Sequence, residues 1–271
     1  VFVNYAANTA LTLITPEFKL ISNQKDSNFE WRGMTTNIDF SRNLVDISGD
    51  VLISGITWVH DKTLTVLEEV KSYFKLYKSD FDLYLGESGV TVPAVKVSQG
   101  NMKLIELNNL DVKSNSYIDK KLFNSSLQVN VDEFYIDKET YKNGFISLYV
   151  RNLDAETLID VNNKIKRAQN GTDRQRKQAI ISVLPDLPVL LNKGAEFEIS
   201  DFGLSMNAGK VRGNFVLSLP NDSNRNPLYL LQKVRGGGHI TISKDLLNGF
   251  LYEVYKKKNS RQVTLAADAN A

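Results

Sequence analysis

His60 and His239 are the only histidines in the chain, and so the only side chains whose ordinary pKa sits near physiological pH. A general base for hydrolysis therefore has two places to reside. His60 lies in Trp58-Val-His-Asp61, a strand end or turn where a surface histidine is the plainer reading. His239 follows Gly236-Gly-Gly238, and a glycine-rich turn can aim backbone amides at an oxyanion or phosphate. A phosphate loop would need Lys and then Ser or Thr after its last glycine, whereas His and Ile follow here. The plainer reading is a flexible turn. No Gly-x-Ser-x-Gly elbow supplies a nucleophile. Cysteine is absent, which removes thiol nucleophiles, disulfides and thiolate metal sites. Asp222, Asn224 and Asn226 imitate the start of a calcium loop, but Pro227 stands in the glycine position and Lys233 in that of the bidentate Glu. Asp132 and Glu133 are adjacent in a predicted strand and point to opposite faces. Two histidines without clustered carboxylates argue against a zinc site. The expectation is a protein without catalytic, cofactor-binding or metal residues, and not an enzyme.

Lys and Arg number 33 against 31 Asp and Glu, a net charge of +2, which gives no reason to expect a polyanionic partner. The densest basic run is Lys164, Lys166, Arg167, Arg174, Arg176 and Lys177. Nucleic-acid binding would interleave such a surface with aromatics, and residues 160–181 contain none. The run reads as a solvated helical face, or as one that meets anionic lipid headgroups. No run approaches the roughly 18 apolar residues of a membrane span. The chain opens on Val1, which reads as the start of a mature product with any signal or anchor upstream.

The elements that must position any site are mostly strands. Residues 121–137 alternate, with Phe123, Leu127, Val129, Val131 and Tyr135 on odd positions and Asn124, Ser126, Gln128, Asn130 and Asp132 on even ones. Period two predicts a strand of an antiparallel sheet with one buried and one wet face, on the order of 50 Å long. Further strands are predicted over 10–21, 34–40, 44–56, 80–85, 90–97, 102–107, 110–114 and 144–153. Pro93 suits an edge or a bulge. Residues 64–81 read either way, as apolar positions three or four apart or as a Tyr- and Phe-rich strand; the reading adopted is a short helix running into a strand.

After Leu153 the period changes. Asp154 is a good N-cap, and Leu158, Val161, Ile165 and Ala168 form one stripe. Asp173 opens a second helical stretch with Ile180, Val183, Leu184, Leu187, Leu190 and Leu191 on one face, bent or split by Pro185 and Pro188 and closed by Gly194. Strands resume over 196–199, 204–206 and 210–219. A short helix runs from Pro227 to about Val234, the three glycines break it, and 239–242 is a brief strand. A last helix from Ser243 or Lys244 turns Leu247, Leu251 and Val254 inward, and the tail after Lys258 frays. Residues 1–258 are read as one elongated domain, divisible near 153 and 194.

Leu83-Tyr-Leu-Gly86, Val92-Pro93-Ala-Val95, Gly100 through Leu107 and Lys121-Leu-Phe123 occur in that order. Gly144-Phe-Ile-Ser-Leu148, Asn152-Leu-Asp154-Ala-Glu-Thr-Leu158, Leu184-Pro185 with Lys193-Gly194, and Gly209 through Leu219 follow. In content and order, over about residues 37–251, the chain resembles the YdgA-like proteins of the Gram-negative cell envelope, a family of unknown function. The resemblance implies a periplasmic or membrane-anchored location facing the periplasm, and carries over no active-site residues.

The fold class expected is α+β, a large twisted or curved antiparallel sheet with helices from about 154 to 193 on its concave face. A groove between the two would be lined by Leu158, Val161, Ile165, Ile180, Val183, Leu184, Leu187 and Leu191 from the helices and by Phe123, Leu127, Val129 and Val131 from the sheet. The functional expectation is a non-enzymatic envelope protein that binds lipid or another amphiphile there. The alternatives are a protein-interaction module with exposed strand edges and a hydrolase that uses His60 or His239.

Overall fold

A computed structural model of the chain describes residues 2–3, 9–22, 27–169, 171–222, 226–252 and 255–256. Val254, Asn224 and the tail after Lys258 lie outside them, as does the side chain of Ala168. The strands in chain order are β1 (Phe2–Val3), β2 (Thr9–Thr15), β3 (Phe18–Ser22), β4 (Ser27–Trp31), β5 (Met34–Phe40), β6 (Asp46–Ile53), β7 (Ile56–His60) and β8 (Thr63–Leu67). Then follow β9 (Val70–Lys78), β10 (Tyr84–Gln99), β11 (Met102–Asp119), β12 (Leu122–Ile136), β13 (Glu139–Asp154), β14 (Glu196–Met206), β15 (Gly209–Ser218) and β16 (Arg235–Ile242). All belong to one antiparallel sheet whose main path runs from β1 to β16 without closing. The fold is α+β.

The alternation over 121–137 becomes β12, as expected, and its neighbours β11 and β13, with β10 beyond β11, are slightly longer still. The strand expected over 80–85 is mostly a turn at 80–82, and β10 begins at Tyr84 and runs on through Gly86 and Gly89, which interrupt the sequence pattern. The break expected in β11 between 107 and 110 is a crease. The crease crosses the sheet at Pro16-Glu17, Arg32-Gly33, Ser54-Gly55, Glu68-Glu69, Pro93, Asn109, Asp132 and Asn143. Ladder pairs exist on either side of these positions and are missing at them. Pro93, which has no N–H to donate, sits where the partner of β10 changes from β9 to β8. Asn109 and Asn143 adopt φ of 52° and 49°, and a residue leaving β geometry shifts the alternation by one, as a bulge does. Apolar positions accordingly change parity in β12, from Leu127, Val129 and Val131 to Phe134 and Ile136.

The expected short helix within 64–81 is absent: the segment forms β8 and β9, bent at Glu68-Glu69. Aromatics on both faces of β9, Phe74 on one and Tyr73 and Tyr77 on the other, imitate a helical period. The three glycines are likewise no turn. Gly236 and Gly238 lie within β16, where a Cβ would stand 2.9 Å from the Leu217 side chain and 2.6 Å from the Asn214 carbonyl. The segments 196–199 and 204–206 are one strand, β14, with a bulge at Ser200-Asp201.

Turns between strands are tight. Asp137-Lys138 joins β12 to β13 with φ of 51° and 68°, a type I′ geometry that favours glycine at the second position. Lys138→Gly is expected to raise stability by about 0.5–1 kcal/mol, read as a higher urea midpoint with an unchanged slope.

Helices α1 (Ala155–Gln169), α2 (Asp173–Val183) and α3 (Leu187–Leu191) lie between β13 and β14, and α4 (Pro227–Lys233) between β15 and β16. Residues 244–252 are also helical. Asp154 caps α1, its Oδ1 accepting from the Thr157 amide at 2.9 Å, and Thr172 caps α2 in a reciprocal capping box with Gln175. Pro185 and Pro188 split α2 from α3, as read. The inward stripe expected of the last helix is not observed, since Leu247 is 41% and Leu251 55% exposed.

Candidate functional site

The sheet has one apolar face and one polar face, and the ladder registers show how far each extends. One row of directly opposed residues runs Leu13, Thr36, Val51, Ser72, Val90, Val112, Val129, Ile146, Phe202, Gly213, Ile240. Residues paired across strands share a face, so this is one stripe on one side of eleven strands. At about 4.8 Å between strands it is about 48 Å long. Two residues along each strand, a parallel row runs Leu11, Ile38, Gly49, Phe74, Ser88, Ser114, Leu127, Leu148, Ile199, Phe215, apolar at both ends and interrupted in the middle by the hydrogen-bonded pair Ser88 and Ser114. The bulge at Ser200-Asp201 adds one residue, and thereby keeps both Ile199 and Phe202 on the apolar side.

The opposite face carries Thr12, Asn37, Asp50, Tyr73, Lys113, Gln128, Ser147 and Asp201 in register. Thr12 donates to Asn37 Oδ1 and Asn37 to Asp50 Oδ2, each at 3.1 Å.

A sheet with one apolar face ordinarily buries it under a second layer. Among the described residues little covers it. The buried apolar side chains among the described residues are Leu85, Ala94, Ala155, Val161, Pro188, Leu190, Ala195 and Leu230, few for a chain of 271 residues. Along the first stripe Leu13 is 48%, Val90 37% and Ile240 60% exposed.

The helices meet this face at one end, chiefly along β13. There a cavity of about 320 Å³ lies between α3 and the sheet. Leu190 and Leu191 form its roof, Val150, Phe197 and Leu217 its floor, and Leu153, Ala195, Leu219 and Val234 its sides. Val150, Phe197 and Leu217 are themselves opposed across β13, β14 and β15, so the floor continues directly into the open stripes. Glu196, also at the wall, is held away by Arg151, which bonds Glu196 and reaches Glu198 at 2.5 Å. Burial pulls the Arg151 guanidinium down, and the two glutamates more than offset this, leaving it above its ordinary value.

Of the residues expected to line a groove, Leu191 reaches the cavity. Leu127, Val129 and Val131 stand half-buried on the open apolar face, and Phe123 opposes Leu153 at its helical end. Val161 is buried, and Leu158, Val183 and Leu187 are half-buried. Ile165 at 44%, Ile180 at 65% and Leu184 at 52% exposed face solvent. The expectation that the helical stripe seals the sheet therefore holds for its Leu190 end and not for its Ile180 end. The reason is that α2 leans on α1 and not on the sheet. Leu190, Phe197, Leu217 and Val234 were not singled out as lining, because only tertiary register brings them together.

A polar cluster on the other face joins Ser200, Asp201, Arg212, Asn214, His239 and Thr241. Arg212 Nη2 donates to Asp201 at 2.6 Å and holds that carboxyl below its usual range. His239 Nε2 lies 3.1 Å from Thr241 Oγ1. Asp201 is thus engaged by arginine instead of orienting the imidazole. His60 stacks on Trp58 with centroids 5.7 Å apart. Among the described residues no group of three His, Asp or Glu is placed to hold a metal ion, and no helix is long and apolar enough to cross a membrane.

Comparison with protein families gives a match over residues 1–271 to a bacterial protein family of unknown function, DUF945. The chain belongs to the DUF945 family. No curated protein and no solved structure matches it.

Proposed function

We propose that this DUF945 protein binds the acyl chain of a lipid along the open apolar face, with the chain end received in the cavity beneath α3. The observation that carries the reading is the stripe from Leu13 to Ile240, continuous in apolar side chains from Val90 to Phe202 and interrupted by Thr36, Ser72 and Gly213. An acyl chain asks for apolar contact and no hydrogen bonds, which is what this face offers. Each methylene removed from water contributes about 0.8 kcal/mol, so partial cover along several strands suffices for binding. The role is a non-enzymatic one in the bacterial envelope, on the periplasmic side, in keeping with the YdgA-like resemblance.

Native mass spectrometry of protein purified without detergent from a bacterial host is expected to show lipid adducts, and delipidated protein to take up a fluorescent fatty acid. A clean apo mass together with no uptake of fatty acid or phospholipid overturns the reading.

A second reading rests on β16. All eight of its residues are exposed, and it ends the strand order, so a partner strand could add to its free edge. It predicts a stoichiometric partner captured from envelope extract and lost when proline replaces Ile240.

A further inference from the structure

We propose that the α1–α2 hairpin is a docking surface for an anionic lipid bilayer. None of the eleven residues of α2 is buried, an unusual condition for a short helix, which in water owes its stability mainly to a packed apolar face. The side of α2 turned to α1 is only half-buried, through Ala179 and Val183. The outward side presents Ile180, Ile181 and Leu184, which are 65%, 63% and 52% exposed. At 100° per residue these three share an arc with Arg174 and Lys177, both exposed and neither with an acidic partner among the described residues. Branched aliphatics flanked by unpaired bases are what a helix lying in a headgroup layer presents.

The charge decides between occupants. Over residues 171–184 there are three bases and one acid, and the absence of aromatics removes the base-stacking platform that a nucleic acid would use. The hairpin is also held in one orientation. Lys164 of α1 pairs with Asp186, beyond the end of α2, and its Nζ lies 3.4 Å from the Ser182 carbonyl. Since α3 follows directly and roofs the cavity, a bilayer against α2 would stand beside the end of the apolar face. The inference does not depend on what that face binds.

Flotation with phosphatidylcholine vesicles, with and without phosphatidylglycerol, tests it on the full chain. Wild type is expected to float only with the anionic vesicles, and less so as salt rises. Arg174→Glu with Lys177→Glu is expected to weaken partitioning about tenfold or more, and Ile180→Asp with Ile181→Asp to abolish it. All four side chains are exposed, so the variants are expected to keep the wild-type melting transition and fatty-acid uptake. Equal partitioning of wild type and variants, or none by wild type, overturns the proposal. So does a dimer that the isoleucine variants convert to monomer while vesicle binding persists, which would make α2 a contact between copies.

Discussion

Lysine in place of Val129 is expected to abolish lipid co-purification, while lysine in place of the adjacent Gln128 leaves it intact. Val129 sits in the middle of the long stripe, opposed by Val112 on one side and Ile146 on the other. Gln128 is its neighbour in sequence but lies on the polar face, opposed by Lys113 and Ser147. The pair therefore separates position in the chain from side of the sheet. A lysine at 129 must either lie across the apolar stripe or be covered by the bound chain with its ammonium unpaired, and either arrangement is costly. A loss of about 3 kcal/mol, on the order of a hundredfold in affinity, is expected. Stability should fall by only about 1–2 kcal/mol, because the site is half open and the ammonium can reach water in the free protein. Native mass spectra and thermal melts of the two variants give both quantities. Retention of lipid by Val129→Lys with a wild-type melt would remove the apolar face as the binding surface.

The residues used in that comparison also mark how much was legible in the sequence. The period-two pattern that places Val129 and Gln128 on opposite faces is local, since each side chain carries its own partition between water and neighbours. The N-cap at Asp154 and the breaks at Pro185 and Pro188 are local for the same reason. What the sequence hides is register. That Val129 faces Ile146, then Phe202, then Gly213 follows from turn lengths and from the bulge at Ser200-Asp201. A strict alternation count over 196–206 meets that bulge as the end of a strand. The crease has the same effect at Asn109, where one strand looks like two, and Gly86 and Gly89 hide the continuity of β10.

The apolar sides of single strands and helices are legible in the sequence, and which of them meet is not. Leu127, Val129 and Val131 were identified as one wall, and they stand on the open face. The opposite wall was sought in the helical stripe from Ile180 to Leu191, because apolar periodicity shows which side of a helix is greasy and not whether anything covers it. Leu190 and Leu191 find Phe197 and Leu217 beneath them, whereas Ile180 and Leu184 find solvent. Gly236 and Gly238 were read as chain breakers for an equivalent reason. Their lack of a side chain makes room for Leu217 and for the β15 backbone at Asn214 and Phe215, an accommodation visible only once β15 and β16 are paired.

Gly86→Ala is expected to be the most destabilising of the small substitutions considered, costing about 4 kcal/mol or more. Two independent effects act there. Gly86 has φ of +135°, a conformation that an L side chain adopts only under strain. A Cβ at this position would also stand 2.1 Å from the Lys75 carbonyl oxygen, which is backbone of the paired strand β9 and has no rotamer through which to withdraw. Relief requires β9 and β10 to part where Gly86 opposes Leu76 and Ser116. That pair lies on the ladder row that continues through Ser125 to Val150, Phe197 and Leu217, the cavity floor. Two controls separate the contributions. Gly100→Ala also has positive φ, 57°, but open space around the new methyl, and is expected to cost about 1 kcal/mol. Gly89→Ala has no positive φ, and the nearest atoms to its new methyl belong to the Tyr73 side chain, the first at 2.4 Å, which can swing aside on the exposed polar face. Its cost should fall between the other two. Urea midpoints give the order, and amide exchange should locate the Gly86→Ala opening at the β9–β10 ladder. If Gly86→Ala matches Gly100→Ala, the close approach of β9 is not a constraint, and the apolar face tolerates a break that its continuity should forbid.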